Sequence, residues 1–345
     1  RLPAHLPLQV PMRRTLSILL FAATFLFCGV PVVHAKAGPP ELQVQCDKGT
    51  AAACGQLGGL YLVGAGVSVD MTKAVGLIQK GCDGGDLKSC TDLGALYMSG
   101  TGIPQDGAAS ASLFGAACEK DWPSACHYLA VQHLLGNGVP RDLGRAAELN
   151  QKACAAGLAG ACGHLAGMYR LGYGLTQDLS RATDHREMAC KGGEMFSCSP
   201  FGKALARGEG RDKNLSQAAE VLLGACQGNE PSGCFELGLL VKTGVAPEQF
   251  GTDPEPMFVR AMDLALQPCQ AGDSNACIVA KDIIRESGTP EEYQQFCSDL
   301  GPAVSAGCNE GVFTACVDLV KLHEEGCGVE KAGTDANTAK RQACA

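Results

Sequence analysis

Eight cysteine pairs, each enclosing seven residues, recur along this chain. They are Cys46 with Cys54, Cys82 with Cys90, Cys118 with Cys126, Cys154 with Cys162, Cys190 with Cys198, Cys226 with Cys234, Cys269 with Cys277 and Cys308 with Cys316. The first six pairs start 36 residues apart. A fixed period of that size is the mark of a solenoid, in which each unit buries its apolar face only against its neighbours. This one feature excludes a single closed core and makes a repeat array the expected architecture.

The residues between one pair and the next set the secondary structure. The third residue after the second cysteine is Leu57, Leu93, Leu129, Leu165, Phe201, Leu237, Ala280 or Leu319. The seventh is Tyr61, Tyr97, His133, Tyr169, Leu205, Val241, Ile284 or His323. Spacings of three, four and seven place these on one helical face, here called helix A. The residue after the leucine is Gly58, Gly94, Ala130, Ala166, Gly202 or Gly238. Glycine inside a helix costs up to about 1 kcal/mol, so its recurrence predicts a point where two backbones nearly touch.

Helix A should end at the glycine pairs Gly64/Gly66, Gly100/Gly102, Gly136/Gly138, Gly172/Gly174, Gly208/Gly210 and Gly326/Gly328, since glycine adopts a left-handed cap without steric penalty. Asp70, Asp106, Asp142, Asp178 and Asn214 follow as N-caps of a second helix, helix B. Helix B carries a small residue (Ala74, Ala146, Ala182, Ala218) and an apolar one three later (Leu77, Leu149, Val221). Two antiparallel helices per repeat give an all-α, α/α superhelical solenoid of about eight helix pairs.

The regular spacing breaks towards the end. Between Cys234 and Cys269 seven extra residues fall in a proline-rich A–B loop, VAPEQFGTDPEP, which cannot stay helical. Three more lie between Cys277 and Cys308. Cys344 has no seven-spaced mate, so the last repeat reads as truncated. At the other end, residues 1–35 read as an upstream extension and a secretory signal. Met12-Arg13-Arg14 is the charged start, Leu16 to Val30 the apolar run, and Val33-His34-Ala35 the cleavage site. The run is short for a membrane span, which needs about 20 residues. Bulky Phe27 before Cys28 argues against a lipid anchor. Residues 36–45 form a polar lead-in, and 46–345 the array.

A seven-residue separator lets the end of helix B, a turn and the start of the next helix A fold back so that the two thiols meet. Disulfides are therefore expected within all eight pairs. Pairing between stacked repeats would need Cα atoms within about 7 Å, whereas packed helices stand 8–10 Å apart. Cys297 and Cys327 fall outside the pattern and are expected to bridge adjacent repeats. Structural zinc would want C-x2-C spacing, which does not occur. So many cysteines point to an oxidising compartment, secreted or periplasmic. The chain carries 28 Lys+Arg against 36 Asp+Glu; removing residues 1–35 takes away three arginines and no acid, leaving 25 against 36, or −11. Such a surface repels nucleic acid.

The motif L-G-x-L-Y-x-x-G-x-G-(V/I)-x-x-D, read at Leu57 to Asp70 and Leu93 to Asp106, resembles the Sel-one-like repeat, a relative of the tetratricopeptide repeat. The added C-x7-C staple resembles the secreted, cysteine-rich Hcp-type bacterial subfamily. The resemblance implies two functions of different classes. One is a protein-interaction scaffold; the other is a beta-lactam-binding protein or weak beta-lactamase, as members of that subfamily are labelled.

Residue chemistry favours the scaffold. Serine-type lactam hydrolysis needs S-x-x-K, and no lysine here has serine three residues before it. Lys242-Thr243-Gly244 spells a third motif of those enzymes but aligns with a helix A terminus. The zinc route needs clustered histidines; His127, His133, His164, His185 and His323 include no pair at ligand spacing on one helix face. His133 and His323 occupy the tyrosine slot of helix A, and His185 a helix B slot, where hydrogen-bonded structural roles are expected. Trp122 should cover the Cys118–Cys126 bridge. No metal or cofactor is expected. A ligand, whether protein, peptide or cell-wall fragment, would meet the helix A face. The residues pointing away from its leucine stripe include Asp92, Tyr128, Gln132, His164, Arg170, Lys203, Glu236 and Lys242.

Overall fold

The computed structural model describes residues 38–246, 248–270 and 274–288. From Pro39 onwards the described chain is a succession of helices: α1 (Pro39–Asp47), α2 (Ala51–Val63), α3 (Met71–Asp83), α4 (Leu87–Ser99), α5 (Gly107–Glu119), α6 (Pro123–Leu135) and α7 (Leu143–Ala155). Then come α8 (Ala159–Leu171), α9 (Leu179–Lys191), α10 (Cys198–Arg207), α11 (Leu215–Gln227), α12 (Pro231–Lys242), α13 (Glu255–Gln270) and α14 (Ser274–Ser287). No strand occurs among the described residues. Even-numbered helices are helix A and odd-numbered ones helix B. Each helix packs on the next, and α2 also meets α4, α4 meets α6, α10 meets α12 and α12 meets α14. Helix A residues of neighbouring repeats thus form a shared layer.

The helix ends follow the local sequence. Asp70, Asp106, Asp142, Asp178 and Asn214 each accept a hydrogen bond from the backbone N–H three residues on, at 2.9–3.0 Å. Gly64, Gly100, Gly136, Gly172 and Gly208 close helix A with φ between 71° and 75°. In the same loops each N-cap N–H donates to the carbonyl of the seventh-position residue, as Asp70 does to Tyr61 and Asp142 to His133. The loop is thus tied at both ends by backbone bonds that the sequence repeats.

Two glycine roles separate in the structure. The recurring glycine inside helix A does not mark a meeting of backbones alone. It is a notch for a large apolar side chain from helix B. A Cβ on Gly94 would stand 2.7 Å from the Phe114 ring, one on Gly58 2.6 Å from Ile78, and one on Gly202 2.6 Å from Leu222. The close backbone approach lies instead at the second loop glycine, where a Cβ on Gly174 or Gly210 would come within 2.1 Å of the carbonyl oxygen of Leu143 or Leu179. Each loop presses there on the start of the preceding helix B.

The same contacts correct the expected core of helix B. Ala74, Ala146, Ala182 and Ala218 are buried, and in the third repeat Leu149, three positions on, is buried as expected, but in the first, second and fifth repeats the residue filling the core lies four positions on. Ile78, Phe114 and Leu222 are wholly buried, while Leu77, Leu113 and Val221 are less so. An i+4 step keeps a helical residue on the same face more closely than i+3 does. At this core position the third and fourth repeats carry Asn150 and Arg186, and the opposing glycine is replaced by Ala130 and Ala166.

Seven of the eight expected C-x7-C bridges lie within the described residues, and all seven are closed. Cys46 is joined to Cys54, Cys82 to Cys90, Cys118 to Cys126 and Cys154 to Cys162. Cys190 is joined to Cys198, Cys226 to Cys234 and Cys269 to Cys277. Their Cα–Cα distances run from 4.4 Å at Cys82 and Cys90 to 4.7 Å at Cys154 and Cys162. Each bridge from Cys82 onwards clamps the end of one helix B to the start of the next helix A. The eighth expected bridge, Cys308 with Cys316, lies outside the described residues. So do the expected Cys297–Cys327 bridge, His323, Cys344 and the secretory segment.

Trp122 caps the start of α6 and packs, half-buried, on the cluster containing Cys118 and Cys126. Two irregularities have local causes. Pro200 has no N–H for the Phe196 carbonyl, and the chain takes a 3-10 turn at Met195–Ser197 before α10. In the sixth repeat the insertion is shared: residues 243–246 and 248–254 belong to the longer A–B loop, with a 3-10 turn at Glu248–Phe250, and α13 reaches 16 residues against 13 in most others.

Candidate functional site

The helix A layer carries most of the expected binding residues, but the structure sorts them into three groups. Gln132 is not on the surface. It is wholly buried, its amide donating to Ser110 Oγ at 2.9 Å and to the Gly107 carbonyl at 3.3 Å. Its position six past the cysteine is a core position, held elsewhere by Leu96, Met168 and Ala204. A helix A residue at that step turns inward, so the expectation that Gln132 meets ligand is corrected.

Four other residues are occupied by ion pairs. Lys88 holds Asp92 at 2.6 Å along one helix. Lys203 on α10 pairs with Glu236 on α12, and Lys242 on α12 reaches the carboxylate of Glu286 on α14 at 3.2 Å and its carbonyl at 2.7 Å. These cross-repeat pairs neutralise the helix A layer from α10 to α14. Lys242-Thr243-Gly244 is a helix terminus: Thr243 caps α12 and its hydroxyl donates to the Leu239 carbonyl.

Tyr128, His164 and Arg170 remain, on α6 and α8. Tyr128 is half-buried and stacks on Phe114, with ring centroids 5.1 Å apart and planes 16° from parallel. His164 is exposed, and its ring meets that of His127 edge to face at 4.6 Å. Arg170 is exposed in the last turn of α8.

Behind these residues lies a polar support that begins with the substituted core position. Asn150, wholly buried on α7, bonds His127 Nδ1 through Oδ1 at 2.8 Å, and its Nδ2 points to Met168 Sδ at 3.7 Å. The thioether is an acceptor and fixes the amide orientation, so His127 Nδ1 is the donor to Asn150 and Nε2 keeps its lone pair. Burial lowers the His127 pKa, opposed in part by the bond to Asn150. Desolvation by the groups packed around it, with a smaller contribution from His127, lowers His164 to about 4 although its outer edge meets solvent. Both imidazoles are therefore neutral at pH 7. The pair offers aromatic faces and a nitrogen acceptor beside the Tyr128 ring, a surface suited to peptide contact.

The remaining described histidines are structural. His133 Nδ1 meets the Pro140 carbonyl at 3.2 Å, and half-buried His185 meets the Arg181 carbonyl at 2.7 Å beside the Tyr169 ring. Among the described residues no group of three or more His, Cys, Asp or Glu side chains is placed to hold a metal ion. Asn150, and any part for His127 in the site, are missing from the sequence expectation. Aligning the repeats on the residue four before each cysteine (Ile78, Phe114, Asn150, Arg186, Leu222) exposes the anomaly.

A family model described as Sel1 repeat matches residues 51–86, 87–122, 123–158 and 159–194. These are the helix pairs α2–α3, α4–α5, α6–α7 and α8–α9, each with its closing turn. Residues 51–194 are thus four Sel1 repeats. Two similar solved structures agree on the fold. One is a protective antigen of uropathogenic Escherichia coli displaying an SLR fold, 19% identical, covering 89% of this chain and 79% of that one at TM-score 0.58. Another is a Sel1 repeat protein from Oxalobacter formigenes, 23% identical, covering 68% and 100% at TM-score 0.57. A shorter alignment joins 38% of this chain to 98% of Helicobacter pylori cysteine rich protein B, at 23% identity and TM-score 0.31. No curated protein matches the chain. Sel1 repeats are protein-interaction modules. No helix among the described residues is long and apolar enough to cross a membrane, and disulfides in this number belong to an extracytoplasmic setting.

Proposed function

We propose that this protein is an exported scaffold that binds a protein or peptide, including the peptide of a cell-wall fragment, on its helix A face, with Tyr128, His164 and Arg170 at the centre. In this reading residues 1–35 direct export and the array begins at Cys46. One observation carries the assignment: in the third and fourth repeats the apolar notch-and-knob core gives way to Asn150 and Arg186. A buried polar group costs stability unless it is bonded, and Asn150 directs its bond to His127, directly behind the exposed ring of His164. Departures from an otherwise consistent pattern gather at functional sites. The hydrolase alternative draws no support from the geometry at Lys242, whose ammonium is engaged by Glu286.

The test is capture from envelope extract by the oxidised wild type, by Tyr128→Ala/His164→Ala and by an Arg145→Ala control on the outer side of α7. The reading expects a partner held by wild type and control and lost from the double variant. Equal capture by all three would overturn it. Nitrocefin turnover above buffer that vanishes in the double variant would favour the hydrolase instead.

A further inference from the structure

We propose that Arg186 and Arg207, which share Glu209, form with Arg170 at the end of α8 a subsite for a carboxylate of the bound peptide. The proposal rests on the peptide-binding reading and names the chemistry of one part of the ligand.

Arg186 occupies the position where other repeats place Ile78, Phe114 and Leu222, and its side chain is only 13% exposed. A guanidinium in a core position needs close, directional acceptors to offset its lost hydration. It has one carboxylate, Glu209, and the contact is loose: Nη1 to Oε2 is 3.7 Å. Glu209 is shared, since Arg207 Nη1 approaches its other oxygen, also at 3.7 Å. Direct charge-assisted bonds in this chain are shorter, as in the 2.8 Å contact of Arg211 with Glu187.

Arg170 adds a third cation. It has no acidic partner among the described residues and stands near enough to Arg186 to help burial depress that group's pKa. Arg170 and Arg207 lie in the last turns of α8 and α10, where the helix dipole favours positive charge. That accounts for the two terminal residues but not for Arg186 in mid-helix. The loop carrying Glu209 is tied to α9, its carbonyl accepting from Thr183 Oγ1 at 2.9 Å. Two cations thus share one carboxylate, with exposed Arg170 unpaired among the described residues, in a chain of formal net charge −8. A second carboxylate would give the guanidiniums the bidentate partner that Glu209 cannot be for both. Tyr128 lies on α6 of the preceding repeat and His164 on α8, six residues before Arg170, so a peptide that covers the aromatic groups and runs along α8 would meet Arg170.

The carboxylate could be a side chain or a chain terminus, and three probes separate these. They are N-acetyl-triglycyl-glutamic acid amide, N-acetyl-tetraglycine with a free terminus, and N-acetyl-tetraglycine amide. Each is titrated into the full oxidised protein while the arginine Nε–Hε NMR signals are followed. One or both carboxylate peptides should give saturable shifts at Arg170 and Arg186, and the neutral amide none. Arg170→Gln, an exposed and fold-neutral change, should weaken binding about tenfold, Glu209→Gln should strengthen it several-fold, and Arg145→Gln should leave it unchanged. Unsaturable shifts, shifts with the neutral amide, or unchanged affinity in Arg170→Gln overturn the proposal. So does inorganic phosphate binding more tightly than either carboxylate peptide. Failure here with partner capture still lost in Tyr128→Ala/His164→Ala removes the subsite and keeps the scaffold reading. Carboxylate binding with no captured partner does the reverse.

Discussion

Gly94→Ala tests the notch-and-knob packing that orders this array. In an exposed helix the change stabilises by up to about 1 kcal/mol, because alanine loses less backbone entropy. Here the new Cβ would stand 2.7, 3.0 and 3.1 Å from three atoms of the Phe114 ring. That ring is wholly buried and has Tyr128 stacked on it at 5.1 Å, so it cannot swing aside freely. Overpacking of this kind costs about 1–3 kcal/mol; with the ring held on both sides the cost falls in the upper part of that range, outweighs the propensity gain, and leaves a net loss of up to about 2 kcal/mol. Gly76→Ala is the internal control: the residue is helical and exposed, and an added Cβ meets nothing within 4 Å. It should gain stability by the propensity difference. Urea unfolding of the oxidised proteins, followed by circular dichroism, should move the midpoint down for Gly94→Ala and up for Gly76→Ala. A midpoint for Gly94→Ala at or above wild type would refute the packing argument.

Other outcomes follow from the same contacts. His164 should titrate near pH 4 by NMR. Its folded pKa lies below the unfolded value, so the unfolded chain binds the extra proton and stability falls as pH drops from about 6.5 towards 4; His164→Gln should flatten that fall, and an unchanged slope would contradict the assignment. Asp121 holds φ at 59°, where glycine sits in the equivalent turns at Gly85 and Gly157. Asp121→Gly should therefore raise stability by about 0.5 kcal/mol, the relief of the left-handed conformation exceeding the loss of an exposed ion pair with Lys152. Replacing Cys118 and Cys126 together by alanine opens a short loop and should cost about 2.5 kcal/mol by the chain-entropy estimate, read as a lower urea midpoint in the absence of reductant.

Much of the architecture is legible because it is written in a period. Cysteine spacing, N-cap aspartates and loop glycines each act within a few residues, and each takes the expected role at Asp70, Gly64 and Cys46–Cys54. Inferences across the layer fare worse. Gln132, six past its cysteine, is expected to point away from the leucine stripe, yet at that step along helix A it turns into the core and bonds Ser110. The periodicity puts the core knob of helix B at Leu77, whereas the Gly58 notch receives Ile78, a difference of about 100° around the helix. That shift hides Asn150 and Arg186, and with them the support for His127 and the arginine group. Ion pairs such as Lys203–Glu236 join residues 33 apart, so charge at single positions does not show that they are already neutralised.

Ligand contact with helix A in the third and fourth repeats is tested most directly by hydrogen–deuterium exchange of the oxidised protein, free and with its captured partner. Protection concentrated in Pro123–Leu135 and Ala159–Leu171, with Leu143–Ala155 unchanged, is the predicted result. Protection confined to the helix B segments, or to α10–α14, would contradict the account.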